Sequence, residues 1–88
     1  MRYHPPIKRS VEIAGHKTSI TLEPVFWDLL RDRAEVLGIP INALVARIDA
    51  QRIEADEPVG LASAIRQYLV GKLADGGEQQ SPPPTSQL

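Results

Sequence analysis

The sequence predicts a small α+β protein that is mainly helical, with one β-strand followed by three α-helices. Three observations predict this fold class. Polar and apolar residues alternate over residues 17–22, as in a half-buried strand. Two proline-led stretches with apolar residues at helical spacing follow, and Gly38 separates them. A third such stretch covers residues 60–73, and a chain of 88 residues is too short for a second domain.

The predicted strand has two different faces, because successive side chains of a strand point to opposite sides. Ile20 and Leu22 lie on the face that we expect to be buried. The other face carries three polar residues, Lys17, Ser19 and Thr21.

This strand needs a hydrogen-bonding partner, because each unpaired buried backbone group costs about 1–3 kcal/mol. Residues 10–14 also alternate and Gly15 permits a turn, so an internal hairpin is one solution. The other is antiparallel pairing with the same strand of a second copy, which is self-complementary about a two-fold axis. We favour the second copy, since a folded part of roughly 70 residues without disulfides is expected to need oligomerisation.

The three helices follow in order. The first is predicted over residues 24–37, where Pro24 suits the first turn and Gly38 the C-terminal stop. The second begins near Pro40 and ends near residue 52. Apolar stripes mark the second and third helices: Ile41, Leu44, Val45 and Ile48, then Leu61, Ile65, Tyr68, Leu69 and Leu73.

The folded domain is predicted over residues 10–74. Residues 1–9 form a flexible basic arm in this interpretation. Residues 75–88 are rich in Pro, Gly and Gln and have too few apolar side chains to offset the entropy of ordering, so we expect a disordered tail.

Composition excludes several classes of function. The chain has no cysteine, no apolar run of about 18 residues and no secretory signal, which indicates a cytoplasmic protein without disulfides or membrane spans. His4 and His16 are far apart and lack carboxylate or thiolate companions, so we expect no metal site. No serine has a neighbouring His–Asp pair, and we therefore expect no enzymatic activity and no cofactor.

Charge is distributed unevenly along the chain. Residues 1–22 hold four basic side chains and one acidic side chain, a net +3, whereas residues 23–88 hold six basic and ten acidic ones, a net −4. A basic end of this kind indicates contact with a polyanion, or else is only a solvated terminus.

Several motifs, in this order and spacing, resemble the ribbon-helix-helix family of the Arc and MetJ repressors, and a small, mostly uncharacterised bacterial branch of it in particular. The resemblance covers about residues 8–73, and four motifs carry it. They are Lys8-Arg-Ser-Val, Gly15-His-Lys-Thr-Ser-Ile-Thr-Leu-Glu-Pro, Phe26-Trp and Asn42-Ala-Leu-Val.

The resemblance implies a homodimeric, sequence-specific DNA-binding protein, a transcriptional regulator such as a repressor, that inserts a two-stranded β-ribbon into the major groove of double-stranded DNA. Bases are then read by Lys17, Ser19 and Thr21, unless these residues are simply the solvated face of the strand. Phosphates are contacted by Ile41, Asn42 and Ala43 at the start of the second helix, and by Lys8 and Arg9. The dimer core is formed by Ile20, Leu22, Phe26, Leu30, Leu44, Val45 and Ile48.

Two features depart from this pattern. Pro40 stands where a Ser or Thr cap is usual, which removes a hydroxyl and an N–H from the phosphate contact. The acidic remainder of the chain also disfavours tight binding to phosphates. The alternative is therefore a protein–protein interaction module, antitoxin-like or a co-regulator, that docks a partner with the third helix or the tail and does not read bases.

Overall fold

The computed structural model describes residues 4–79, and these form two strands followed by three helices. The strands are β1 (Ile7–Ile13) and β2 (His16–Leu22). The helices are α1 (Pro24–Leu37), α2 (Ile41–Glu54) and α3 (Leu61–Gln79). The predicted succession of a strand and three helices is confirmed, but the strand is preceded by a second one.

The two strands form an antiparallel hairpin within one chain, from Ile7 opposite Leu22 to Ile13 opposite His16. Ala14 and Gly15 make the turn with φ of 52° and 83°, as the two central residues of a type I′ turn require. The hydrogen-bonding partner of residues 17–22 is therefore β1 of the same chain rather than the same strand of a second copy. Our preference for a second copy over an internal hairpin was therefore wrong for this edge of the strand.

The folded domain extends beyond both of its predicted ends, residues 10 and 74. Lys8 and Arg9 belong to β1 rather than to a flexible arm, because β1 begins at Ile7 and pairs with the last residue of β2. At the other end, α3 continues past residue 74 to Gln79. The remainder of the predicted arm before residue 4, and the predicted tail from residue 80 onward, lie outside the described residues.

The helix boundaries follow from backbone chemistry. Pro24 is the first residue of α1, where its missing N–H costs nothing. Gly38 ends the helix with a φ of 71°, and its N–H donates to the carbonyl oxygen of Glu35, as in a left-handed C-cap. Pro40 precedes α2 with an extended backbone and no side-chain cap.

The core is formed where the inner face of the hairpin meets one side of each helix. Its members are Val11, Ile20, Leu22, Trp27, Leu30, Ala34, Leu44, Val45, Ile48, Ile65 and Leu69. Six of the seven residues that we assigned to a dimer core are among them, each at most 4% exposed inside a single chain. They form the core of a single chain, and a part for them in a dimer core stays a prediction. The seventh, Phe26, is only half-buried.

An ion pair joins α3 to the junction between β2 and α1. The Arg66 guanidinium donates two hydrogen bonds to the Glu23 carboxylate, at 3.0 and 3.2 Å, and lies 5.8 Å from the centre of the Phe26 ring. Hydrogen bonding from Arg66, supported by the backbone N–H of Glu23, holds the pKa of Glu23 below its ordinary value of 4.5.

We expect this ion pair to make the free energy of unfolding depend on pH in the acidic range. The pKa of Glu23 is lower in the folded state, so its contribution is fully present above the unfolded pKa and is lost as pH falls through the folded pKa. Urea unfolding of the wild type and of Arg66→Gln, followed from neutral pH into acid, checks this. The variant is expected to be less stable at neutral pH and to lose less stability in acid. An Arg47→Gln control, on an exposed side chain, is expected to behave as the wild type. Parallel losses in all three proteins would contradict the assignment.

Candidate nucleic-acid interface

The outer face of the hairpin is the first part of the candidate site. Lys17, Ser19 and Thr21 are all exposed and lie on one side of β2, whereas Ile20 and Leu22 between and after them are buried. The orientation expected from the alternation is thus confirmed. The role of these three residues in reading bases stays a prediction.

β1 adds a second row of polar side chains to this face, which the sequence analysis did not include. Directly opposite residues of a hairpin lie on the same face, and the register pairs Lys8 with Thr21, Ser10 with Ser19 and Glu12 with Lys17. All three β1 residues are exposed. The six residues together form the outer face, a polar surface two strands wide: Lys8, Ser10, Glu12, Lys17, Ser19 and Thr21. The signal was present in the sequence, since Glu12 alternates with Val11 and Ile13.

The hydrogen-bond pattern of the hairpin decides which backbone groups point away from it. Ile13 and His16 flank a two-residue turn and therefore form a hydrogen-bonded pair, and such pairs alternate with non-hydrogen-bonded ones. The backbone groups of the other pairs point outward, at residues 8, 10 and 12 on β1 and at residues 17, 19 and 21 on β2. The N–H of Glu12 points outward, as this pattern requires, because it donates to Oδ1 of Asn42 at 3.2 Å, outside the hairpin.

The two edges of the hairpin differ in what lies beside them. The β1 edge is next to the start of α2, where Asn42 accepts the hydrogen bond from Glu12. Within residues 4–79, no side chain or loop backbone donates to or accepts from the outward groups of Lys17, Ser19 and Thr21. The β2 edge is therefore open for pairing in the described chain.

A groove of about 280 Å³ runs beside β1, between the first turns of α1 and α2. We call it the phosphate groove. It is lined by Arg9, Ser10, Val11, Trp27, Asp28, Arg31, Ile41 and Asn42. Three of the predicted phosphate-contacting residues meet here: Arg9, Ile41 and Asn42. Lys8 is instead on the outer face, and Ala43 does not line the groove. Arg31 was missed, because nothing in the sequence connects the middle of α1 with β1.

The start of α2 offers fewer backbone donors than we expected. The N–H groups of Ala43 and Leu44 both donate to the carbonyl oxygen of Pro40, each at 3.1 Å. Ala43 is therefore already satisfied and is not a free donor for phosphate. In the described part of the chain, the N–H groups of Ile41 and Asn42 are left without an acceptor, at the helix end where the dipole favours an anion. The Asn42 amide adds its NH₂ group, since its oxygen already accepts from Glu12.

Two cations lie in the groove with different degrees of neutralisation. The Arg9 guanidinium carbon is 5.5 Å from the centre of the Trp27 ring. Trp27 is itself held by a 2.9 Å hydrogen bond from its Nε1 to the carbonyl oxygen of Ile7. Arg31 contacts Asp28 and Asp32 at 3.3 and 3.6 Å. Arg9 therefore keeps its charge available for an anion, whereas Arg31 shares its charge with two carboxylates.

A second surface lies between α1 and α3, on the helix to which we assigned a protein partner. Apolar side chains of Leu29, Val36, Leu69 and Leu73 line this α1–α3 groove. Lys72 and Arg33 also line it, and the buried Nε of Arg33 has no hydrogen-bond partner. Val36 and Leu73 are 74% and 56% exposed. Docking of a protein here stays a prediction.

Residues 4–79 contain no group of three or more His, Asp or Glu side chains arranged to hold a metal ion. None of the helices in this part of the chain is both long and apolar enough to span a bilayer.

Comparisons with known proteins agree with this architecture. Residues 6–73 match the model of a ribbon-helix-helix domain. Among solved structures, an uncharacterized protein from Bordetella pertussis Tohama I is similar, with a TM-score of 0.73 and 25% sequence identity over 98% of this chain and 70% of that one. No curated protein matches the sequence.

Proposed function

This chain belongs to the ribbon-helix-helix domain family, and from that premise we propose that it is a homodimeric transcriptional regulator that binds double-stranded DNA in a sequence-specific manner. In this proposal it acts in the cytoplasm, as a repressor whose target DNA is covered when the dimer binds. The outer face of the hairpin enters the major groove, and the phosphate groove receives the DNA backbone beside it.

One observation carries the proposal. The outer face is an unbroken row of exposed donors and acceptors on a two-stranded ribbon, and Val11, Ile20 and Leu22 on the inner face behind it are buried. A ribbon of this width fits the major groove of B-DNA, which is about 12 Å wide. Lysine donates to guanine N7 and O6, and the serine and threonine hydroxyls bond with any base. If this face were only a solvated surface, there would be no reason to expect an anion site next to it. The phosphate groove lies directly beside it.

The dimer in this proposal forms through the β2 edge. The β1 edge is next to the start of α2, whereas the outward groups of Lys17, Ser19 and Thr21 have no partner within the described chain. Antiparallel pairing of two β2 strands about a two-fold axis satisfies these groups. It places the base-reading residues of both copies side by side, at the centre of a four-stranded sheet. Each β1 then flanks this central pair of strands, and its Lys8 approaches a phosphate.

The charge distribution fits a protein whose affinity depends on salt. Residues 1–22 have a net charge of +3, although the chain as a whole is −1. Attraction to phosphates is therefore concentrated at the hairpin and its groove, and is opposed by the helices. We expect weak binding to random DNA and a modest dependence of affinity on salt concentration.

A pair of variants separates base reading from phosphate contact. We expect Lys17→Ala combined with Thr21→Ala to abolish the preference for selected over random DNA, since each good base contact contributes about 1–3 kcal/mol of discrimination. Arg9→Ala is expected to weaken binding to both DNAs equally and to lower the slope of log affinity against log salt by about one. Binding isotherms at two salt concentrations check both results, with melting curves to confirm folding.

The same isotherms test the alternative. A wild-type protein without salt-sensitive DNA binding at low salt would reject the proposal and favour an interaction module that uses the α1–α3 groove. Equal preference for selected DNA before and after the double substitution would reject Lys17 and Thr21 as base-reading residues.

A further inference from the structure

We propose that Glu12 and Lys17 act together as a cross-strand pair that reads a single G·C base pair in the major groove. This inference rests on the proposed function and adds a β1 residue, Glu12, to its specificity-determining set.

The geometry of the pair is set by the hairpin. Glu12 lies directly opposite Lys17, and both side chains are exposed on the outer face. They form a non-hydrogen-bonded pair, in which the Cβ atoms of opposite residues are closest, about 4.5–5.5 Å apart. The backbone of Glu12 is also fixed from the other side, because its N–H donates to Oδ1 of Asn42. The pair therefore has a defined position at the turn end of the outer face, with the phosphate groove on the Glu12 side.

The chemistry of the pair matches one base pair better than the others. In the major groove a G·C pair presents two acceptors, N7 and O6 of guanine, next to one donor, N4 of cytosine. The Lys17 ammonium has only donors and the Glu12 carboxylate only acceptors. Hydrogen bonds from Lys17 to guanine, and from cytosine N4 to Glu12, satisfy all of these groups. Over an A·T pair lysine keeps only N7 of adenine as an acceptor, because the neighbouring N6 amino group is a donor, and a carboxylate placed over thymine meets O4 and a methyl group, neither of which donates.

Glu12 is the only acidic residue among the six of the outer face. A carboxylate on a surface that approaches phosphates lowers affinity for every DNA sequence, and only a base donor compensates for this repulsion. Selectivity here comes partly from rejecting wrong sequences. Removal of the charge must therefore tighten binding to random DNA and, at the same time, weaken discrimination at one position of the selected site. A purely structural role for Glu12 gives neither effect.

The test compares the full-length wild type with Glu12→Gln. Each protein selects sequences from a randomised duplex pool, and binding isotherms are then measured on the selected duplex and on versions with each base pair exchanged. The wild type is expected to require G·C at one position per half-site. Glu12→Gln is expected to lose about tenfold discrimination at that position only, while its affinity for random duplex rises about two- to threefold. Glu35→Gln, the same change on an exposed residue near the end of α1, is the matched control and is expected to leave both quantities unchanged.

The outcomes distinguish this inference from the function on which it rests. A wild type that selects a sequence, with a Glu12→Gln variant that selects the same sequence equally well, overturns the Glu12 assignment and leaves DNA reading in place. Equal increases in random-DNA affinity for the Glu12 and Glu35 variants also overturn it, because the effect is then one of net charge. A wild type that selects nothing overturns the proposed function itself.

Discussion

Replacing Ile20 by aspartate is expected to unfold the protein. Ile20 is 4% exposed, in the middle of the inner face of β2, and belongs to the same core cluster as Leu30 and Leu44. No basic side chain is among the core residues, so a carboxylate here is buried without a partner. Such a change costs several kcal/mol, and a domain of this length has a total stability of only about 5–10 kcal/mol.

The neighbouring residue provides the control for this prediction. Thr21 is exposed on the outer face, directly opposite Lys8, so Thr21→Asp introduces the same charge next to a cation and is expected to leave the fold intact. Circular dichroism spectra and thermal melts of the two variants check the difference. A cooperative transition for Ile20→Asp near that of the wild type would mean that the inner face of β2 is not buried in solution.

The alternation over residues 17–22 was enough to predict both faces of β2, because burial of one face fixes the orientation of every side chain on the strand. Helix α1 was predicted equally well, since Pro24 and Gly38 mark its two ends through backbone constraints that act locally. These features depend on the chain within a few residues of each position, and local physics decides them.

The partner of β2 could not be decided in the same way. Residues 10–14 and a second copy of the strand offer the same alternating pattern, and Ala14-Gly15 is a weaker turn signal than Asn-Gly because Ala14 must adopt a positive φ. The phosphate groove was only partly predicted for a related reason. The hydrogen bond between Glu12 and Asn42 joins residues that are 30 positions apart, and no periodicity in the sequence predicts it. The end of α3 was missed because Gly76 and Gly77 have a low intrinsic helix propensity, yet α3 runs through both.

A proline at Ser19 is expected to separate the proposed dimer into folded monomers. The Ser19 N–H points away from β1, in the middle of the open edge of β2, so proline there leaves the hairpin bonds in place. It removes a donor from the proposed β2–β2 pairing and puts its ring where the partner strand must approach. Because the pairing is symmetric, each substitution acts twice, and we expect the dimer to weaken by about 100-fold or more.

Ser10 gives the matched control, because it lies directly opposite Ser19 and its N–H also points away from the hairpin, but toward the phosphate groove. Both variants carry the same strain of proline in a strand, so the difference between them isolates the edge that pairs. Sedimentation equilibrium at micromolar concentration is expected to give a monomer for Ser19→Pro and a dimer for Ser10→Pro, with both melting cooperatively. Two dimers would place the interface on another surface, such as the α1–α3 groove, and two copies of the outer face would then no longer be adjacent. In that case each hairpin would have to read the major groove alone, with Glu12 and Lys17 at the centre of a ribbon made by one chain.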